Sequence, residues 1–246
     1  MSDGAQWKLY ERVVAALKVE EHASIEMSVQ ANAKIKGLSG TLRQIDVLID
    51  ARFDGGFKRR IIVDAKNYTG KLDINDVEKF HGMMIDCSAS RGILVCKNGW
   101  SDAALRRAGD YIGLSLLGEE NVDEYIFYMT ASNCYACDKG VAFIDNDMAL
   151  KIENLWNIFR IGKCDKCHAF YIWCWGCGEH FSIKDGDDVR CSCNYCWYVS
   201  PPDPDGDEER DELEPLSAYL LLAYETVDFD GTVKPNVLRL DRRRGA

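Results

Sequence analysis

Four Cys-x-x-Cys pairs dominate the second half of the chain: Cys134/Cys137, Cys164/Cys167, Cys174/Cys177 and Cys193/Cys196. Two residues between thiols let a tight turn offer both sulfurs to one tetrahedral ion, so four pairs suit two four-thiolate zinc sites. A region built on such sites cannot fold without its ion, because metal binding supplies the folding energy. The ligand set stays open at this point. Cys191, His168 or His180 can replace an assumed ligand, and Cys164/Cys167 can join the later pairs, leaving Cys134/Cys137 as free thiols. A redox reading of the pairs lacks the βαβ pattern that would support it.

The remaining composition fits a folded protein of one or two domains: 246 residues, 47% hydrophobic and 28% charged. No apolar run approaches the ~18 residues that span a bilayer, and residues 1–20 carry no signal-peptide core. The expected location is therefore the reducing cytoplasm, without a membrane partner, where cysteines serve metals before disulfides. Net charge is −10 overall. Residues 1–118 carry 17 Lys+Arg against 15 Asp+Glu, and residues 201–246 carry 6 against 12. A polyanion would meet the first half or the arginine-ended tail rather than the acidic remainder.

Hydrophobic periodicity divides the first half into helix (Trp7–Lys18), strand (Ser24–Lys36), strand (Gln44–Ala51) and strand (Arg60–Lys66). A helix over Asp73–Ile85, a strand at Gly92–Cys96, a helix N-capped by Ser101 and a strand at Leu114–Leu117 follow. Val77, Phe80, Met84 and Ile85 should line one side of the second helix. This order is an α/β sandwich over 1–118. Residues 119–200 form the cysteine-rich module, with a helix expected within Ala142–Phe159. Residues 201–246 read as an acidic linker (Ser200–Glu214), a short docking helix (Leu213–Tyr224) and a frayed basic tail.

Chemistry concentrates at Asp46, Asp64 and Lys66. Residues two apart on a strand share a face, so Asp64 and Lys66 point the same way. A three-residue turn at Asp54-Gly55-Gly56 makes paired positions sum to 110, which sets Asp46 across from Asp64. Two carboxylates ~4 Å apart at an effective dielectric near 20 repel by about 4 kcal/mol. A Mg²⁺ ion resolves this, since it favours one or two carboxylates plus waters and substrate phosphates. Lys66 then orients an attacking water or stabilises charge in the transition state. The bland alternative is a simple lysine–aspartate pair at a sheet edge.

The strings Arg43-Gln44-Ile45-Asp46-Val47 and Ile62-Val63-Asp64-Ala65-Lys66-Asn67-Tyr68 resemble the strand motifs of Mrr-like restriction endonucleases, in the PD-(D/E)XK nuclease superfamily. Gly92–Val95, Gly99-Trp100-Ser101, Ala103-Ala104 and Ala108 are similar to the strand, turn and helix that follow in that family. The resemblance covers about residues 7–117. It implies the restriction-endonuclease-like αβββαβ sandwich, with Asp46 and Asp64 holding catalytic Mg²⁺ or Mn²⁺, the Ala65 carbonyl as a further ligand and Lys66 as the signature lysine. Glu11 matches the auxiliary acid of the first helix. It further implies a DNA endonuclease of restriction or genome-defence type, acting as a homodimer or in a larger defence complex. An RNA-directed nuclease shares the same site. The rival reading is a catalytically silent scaffold that binds nucleic acid or a partner protein through its zinc module.

In the cysteine region, Cys174-Trp-Gly-Cys177-Gly and Cys193-Asn-Tyr-Cys196, bridged by Asp185-Gly186-Asp187, look like a zinc ribbon. By elimination Cys134/Cys137 join Cys164/Cys167. Phe170, Tyr171, Trp173, Trp175, Tyr195, Trp197 and Tyr198 either build a small core or stack on splayed bases. Lys58, Arg59 and Arg60 form a basic loop that contacts a DNA backbone or is merely solvated. Cys87 and Cys96 read as core residues, and His22 and His81 as helix-flank residues.

Overall fold

The structure is a computed structural model that describes residues 3–53, 59–118, 121–122, 131–152, 155–201 and 217–244. The Asp54-Gly55-Gly56 turn, Lys58 and residues 202–214 of the acidic stretch lie outside these. The described residues divide into two compact units, one ahead of residue 130 and one from Ala131 onward. No helix among them is long and apolar enough to cross a membrane.

The first unit runs α1 (Asp3–His22), β1 (Met27–Lys36), β2 (Leu42–Ala51), β3 (Ile61–Lys66), α2 (Ile74–Asp86), β4 (Arg91–Cys96), α3 (Asp102–Ala108) and β5 (Ile112–Leu116). Its sheet has the order β1-β2-β3-β4-β5. The β1/β2 and β2/β3 pairs are antiparallel, whereas β3/β4 and β4/β5 are parallel, with α2 and α3 as the crossovers. Mixed α/β architecture is thus what the element order implied.

Local chemistry starts and stops these helices where the sequence signals lie. Asp73 caps α2 by accepting from the Asp76 N–H, and Asp76 returns a carboxylate to the Asp73 N–H, a reciprocal capping box. Ser101 caps α3 through the Ala104 N–H, and Gly109, at φ 58, ends it. Val77, Phe80 and Met84 of α2 are buried with Ile45, Leu48, Ile62 and Leu94, and Cys87 and Cys96 lie in this core. Ile85 is 61% exposed instead, one step beyond the buried stripe.

The second unit is all β and departs from the sequence reading. β6 (Ala131–Asn133), β7 (Val141–Ile152), β8 (Leu155–Cys164), β9 (Phe170–Cys174) and β10 (His180–Ile183) make one antiparallel sheet. β11 (Asp188–Arg190), β12 (Cys196–Ser200), β13 (Ser217–Val227) and β14 (Val233–Arg244) make the other. Phe159, Ile161, Phe170 and Ile172 of the first pack with Trp197, Val199, Leu220 and Leu222 of the second.

The helix expected within 142–159 is the β7/β8 hairpin, and of the one expected at 213–224, residues 217–224 belong to β13 while 213–216 lie outside the described residues. In β13 Ala218, Leu220 and Leu222 point inward, but Tyr219 and Leu221 between them are also apolar. An apolar residue at every position hides the period of two. The tail is not frayed either, because β14 pairs with β13 as far as Arg244. Arg242, Arg243 and Arg244 are buried. Arg243 grips both Asp185 oxygens at 2.6 Å and donates to the His168 carbonyl. These arginines serve the fold and are not a polyanion-facing tail.

Candidate active site and cysteine centres

The β2/β3 ladder runs Ile49↔Ile61, Leu48↔Ile62 and Val47↔Val63, so paired positions do sum to 110. One step beyond the last pair, Asp46 stands across from Asp64. There the ladder gives way to a side chain: the Ala65 N–H donates to Asp46 Oδ2 at 2.8 Å. On the other side, Ala31↔Val47 and Ala33↔Ile45 are paired while Asn32, at φ 52, drops out opposite Asp46. Asparagine tolerates that left-handed backbone better than most residues. Sequence reasoning missed Asn32, whose only signal was an amide within an otherwise strand-like run.

Electrostatics mark the site. Burial, then the neighbouring Asp64 carboxylate and, more weakly, Glu11, push Asp46 up from 3.8 to about 8, against the Ala65 hydrogen bond. Four residues from three elements thereby meet: Glu11 from α1, Asp46 from β2, and Asp64 and Lys66 from β3. Lys66 Nζ sits 2.7 Å from Asp64 Oδ2. Burial, the largest single influence, would lower its pKa, but the Asp64 charge and hydrogen bond, with smaller contributions from Tyr68 and Asp46, together outweigh it and raise the pKa, keeping the ammonium charged. Glu11 is buried and also pairs with Lys8 Nζ at 3.1 Å. Carboxylates crowded this closely suit a hard cation, which would replace the proton that Asp46 otherwise retains.

The basic loop resolves differently. Arg60 is 3% exposed, with Nε 3.0 Å from Asp50 Oδ2 and Nη1 donating to the Cys87 carbonyl. It pins the base of the β2/β3 hairpin and cannot reach a DNA backbone. Arg59 pairs with Glu26 at the surface. His81 lies on the partly exposed side of α2 beside Arg107, outside the carboxylate group.

In the second unit the sulfurs gather into two clusters, Cys134/Cys137/Cys164/Cys167 and Cys174/Cys177/Cys191/Cys193, each with all sulfurs within 4.8 Å. The first is the set expected. The second takes Cys191 in place of Cys196. Four sulfurs at ~2.3 Å from a tetrahedral ion lie ~3.8 Å apart. The observed Sγ···Sγ distances are 3.6 Å for Cys134/Cys167, 3.9 Å for Cys137/Cys164 and 3.8 Å for Cys174/Cys193. Both clusters therefore fit structural zinc.

The turns explain the exchange of ligand. After the second cysteine of each limb the backbone turns left-handed: Asp138 (φ 52), His168 (φ 58), Gly178 (φ 75) and Asn194 (φ 69). Each of these N–H groups bonds back to the carbonyl of the first cysteine, Cys134, Cys164, Cys174 and Cys191 respectively. The fourth limb is thus Cys191-Ser192-Cys193-Asn194, while Cys196 opens β12 and pairs with Arg190 and Ala223. Asn194 was the signal that spacing alone overlooked.

Two glycines close the cradles. A Cβ on Gly140 would lie 2.2 Å from Cys164 Sγ, and one on Gly176 would lie 2.8 Å from Cys193 Sγ. Burial drives the Cys164 thiol upward, whereas at Cys137 the hydrogen bonds from the Lys139 N–H, Cys167, the Gly140 N–H and Cys134 together outweigh burial and bring it down to about 7. Neither proposed histidine joins a cluster. His168 supplies the left-handed turn, and His180 hydrogen-bonds Tyr171 and stacks on Trp173. Phe170 and Trp197 are fully buried core residues, while Trp175 and Tyr198 remain exposed. Trp173 lies between His180 and Trp175, at ring separations of 4.7 and 5.4 Å.

A mixed five-stranded sheet with crossover helices and an acid–x–lysine strand beside a second acid defines a restriction-endonuclease-like domain. Residues 5–126 match the family model described as restriction endonuclease, the Mrr catalytic domain, and this part of the chain belongs to that family. Among solved structures, that of a protein of unknown function, AF1548, aligns with 48% of this chain and 67% of its own. The identity is 18% and the TM-score 0.37. No curated protein matches the chain.

Proposed function

We propose that the chain is a Mg²⁺-dependent endodeoxyribonuclease of restriction or genome-defence type, whose second unit is held by two structural zinc ions. The observation that carries this reading is the meeting of Asp46 and Asp64 beside Lys66, with Asp46 driven up to about 8. Asp46, Asp64 and the Ala65 carbonyl would hold the cation, which supplies charge neutralisation and Lewis acidity at the scissile phosphate. The Ala65 N–H fixes one Asp46 oxygen and so orients the carboxylate. Lys66 keeps a charged donor at the edge of the site, able to orient water and to meet negative charge that grows on the phosphate. Glu11 adds a third carboxylate from α1.

A plasmid-cleavage assay tests this. The wild-type protein should nick or linearise DNA with Mg²⁺ or Mn²⁺, and Lys66→Ala should lower the rate by at least ~10²-fold while leaving the fold intact. Equal cutting by both proteins would expose a contaminant and end the proposal. A parallel RNA panel sets the substrate class.

A further inference from the structure

The strand that carries Asp64 and Lys66 leads into Tyr68, which the chemistry above does not use. Its ring is 44% exposed, although it stands beside a half-buried site. Lys66 Nζ lies 5.8 Å from the ring centroid, within cation–π range. The backbone there is anchored: Asn98 Nδ2 donates to the Tyr68 carbonyl at 2.7 Å, tying the segment after β3 to the turn after β4. An exposed ring on an anchored backbone next to the signature lysine has a use once the charge around that lysine is followed through.

In the structure the ammonium rests on Asp64 Oδ2. A divalent ion on Asp64 takes up that carboxylate's charge and repels the ammonium, so Lys66 needs a second seat. The other neighbouring anions, Asp46 and Glu11, belong to the same carboxylate group and would face the same ion. Among the described residues, the negative face of the Tyr68 ring offers Lys66 an attractive surface outside that group, and such a face holds a cation without competing for the metal. We infer that Tyr68 is a positioning residue: its ring receives the Lys66 ammonium when the cation engages Asp64, and so keeps the lysine at the reacting phosphate. This rests on the proposed metal site.

The side-chain resonances of Lys66 and Asp64, followed by NMR in the zinc-loaded full chain during Mg²⁺ titration, test it without any need for cleavage. Mg²⁺ should move the Asp64 carboxyl carbon and shift the Lys66 ε-methylene protons upfield as they approach the ring. The upfield shift should persist in Tyr68→Phe and vanish in Tyr68→Leu. In the cleavage assay Tyr68→Leu should lose about tenfold in kcat with KM within about twofold, and Tyr68→Phe should restore most of the rate. An Asp64 response with no ring-dependent Lys66 response, or full-rate cutting by Tyr68→Leu, overturns the role of Tyr68 alone. No response at Asp64 overturns the metal site, and this inference with it.

Discussion

The two units hold their clustered polar groups by opposite means. In the first, Asp46, Asp64, Lys66 and Glu11 are carried by strands and a helix whose core is apolar and complete, with Leu48, Ile62, Phe80 and Leu94 buried together. The site is a burden that the fold tolerates, since its carboxylates repel. In the second, the cysteine turns are themselves the ends of the strands: β8 ends at Cys164, β9 at Cys174, and β12 begins three residues after Cys193. There the cluster is what the fold is made from. On the proposed reading a metal serves function in one unit and structure in the other, and the difference predicts contrasting responses to the same kinds of perturbation.

Zinc removal should produce the largest effect. Zinc in small structural sites contributes on the order of 10 kcal/mol to folding, so chelation should unfold the second unit while the first keeps its helical circular dichroism. Metal analysis before chelation should give about two zinc per chain. A second unit that keeps its β signal without metal would break the contrast.

Ligand identity sharpens it next. Cys191→Ser should cost one zinc equivalent and several kcal/mol of stability in the second unit, whereas Cys196→Ser should retain both ions and change stability by less than about 1 kcal/mol. The reverse order of sensitivity would restore the evenly spaced pairing. Elemental analysis alongside thermal melts measures both.

A further contrast concerns protons. Asp46 has its folded pKa raised from 3.8 to about 8, so between those values the folded, metal-free protein binds more protons than the unfolded chain. Stability of the first unit should therefore fall as pH rises through this window, and Asp46→Asn should remove most of the slope. A metal-free melt series from pH 5 to 8 on wild type and variant checks the sign. Stability that rises across that window through Asp46 would contradict the crowded-carboxylate picture.

What the sequence made legible follows the same division. The turn count gave paired positions that sum to 110, and the β2/β3 ladder keeps that register at Val47↔Val63, Leu48↔Ile62 and Ile49↔Ile61. The strands themselves end at Ala51 and begin again at Ile61, and the turn residues lie outside the described residues. Arg60 looked like part of a surface patch because charge on a loop reads as solvated. Only the fold reveals Asp50 buried against it. In the second unit, Lys163 lies buried between Asp145 and Asp241, at 3.0 and 2.8 Å, which places charges where periodicity expects apolar residues. Long strands with polar interiors and apolar exteriors defeat hydrophobic patterning, whereas the cysteine spacing survived because ligand geometry is local.

Calorimetric titration of Mg²⁺ into the zinc-loaded chain tests the central claim most directly. The account predicts saturable binding at the carboxylate site, with affinity rising by up to about tenfold per pH unit toward pH 8 as Asp46 gives up its proton, and loss of that binding in both Asp46→Asn and Asp64→Asn. Undiminished binding in the two variants, or none in the wild type at pH 8, would contradict it.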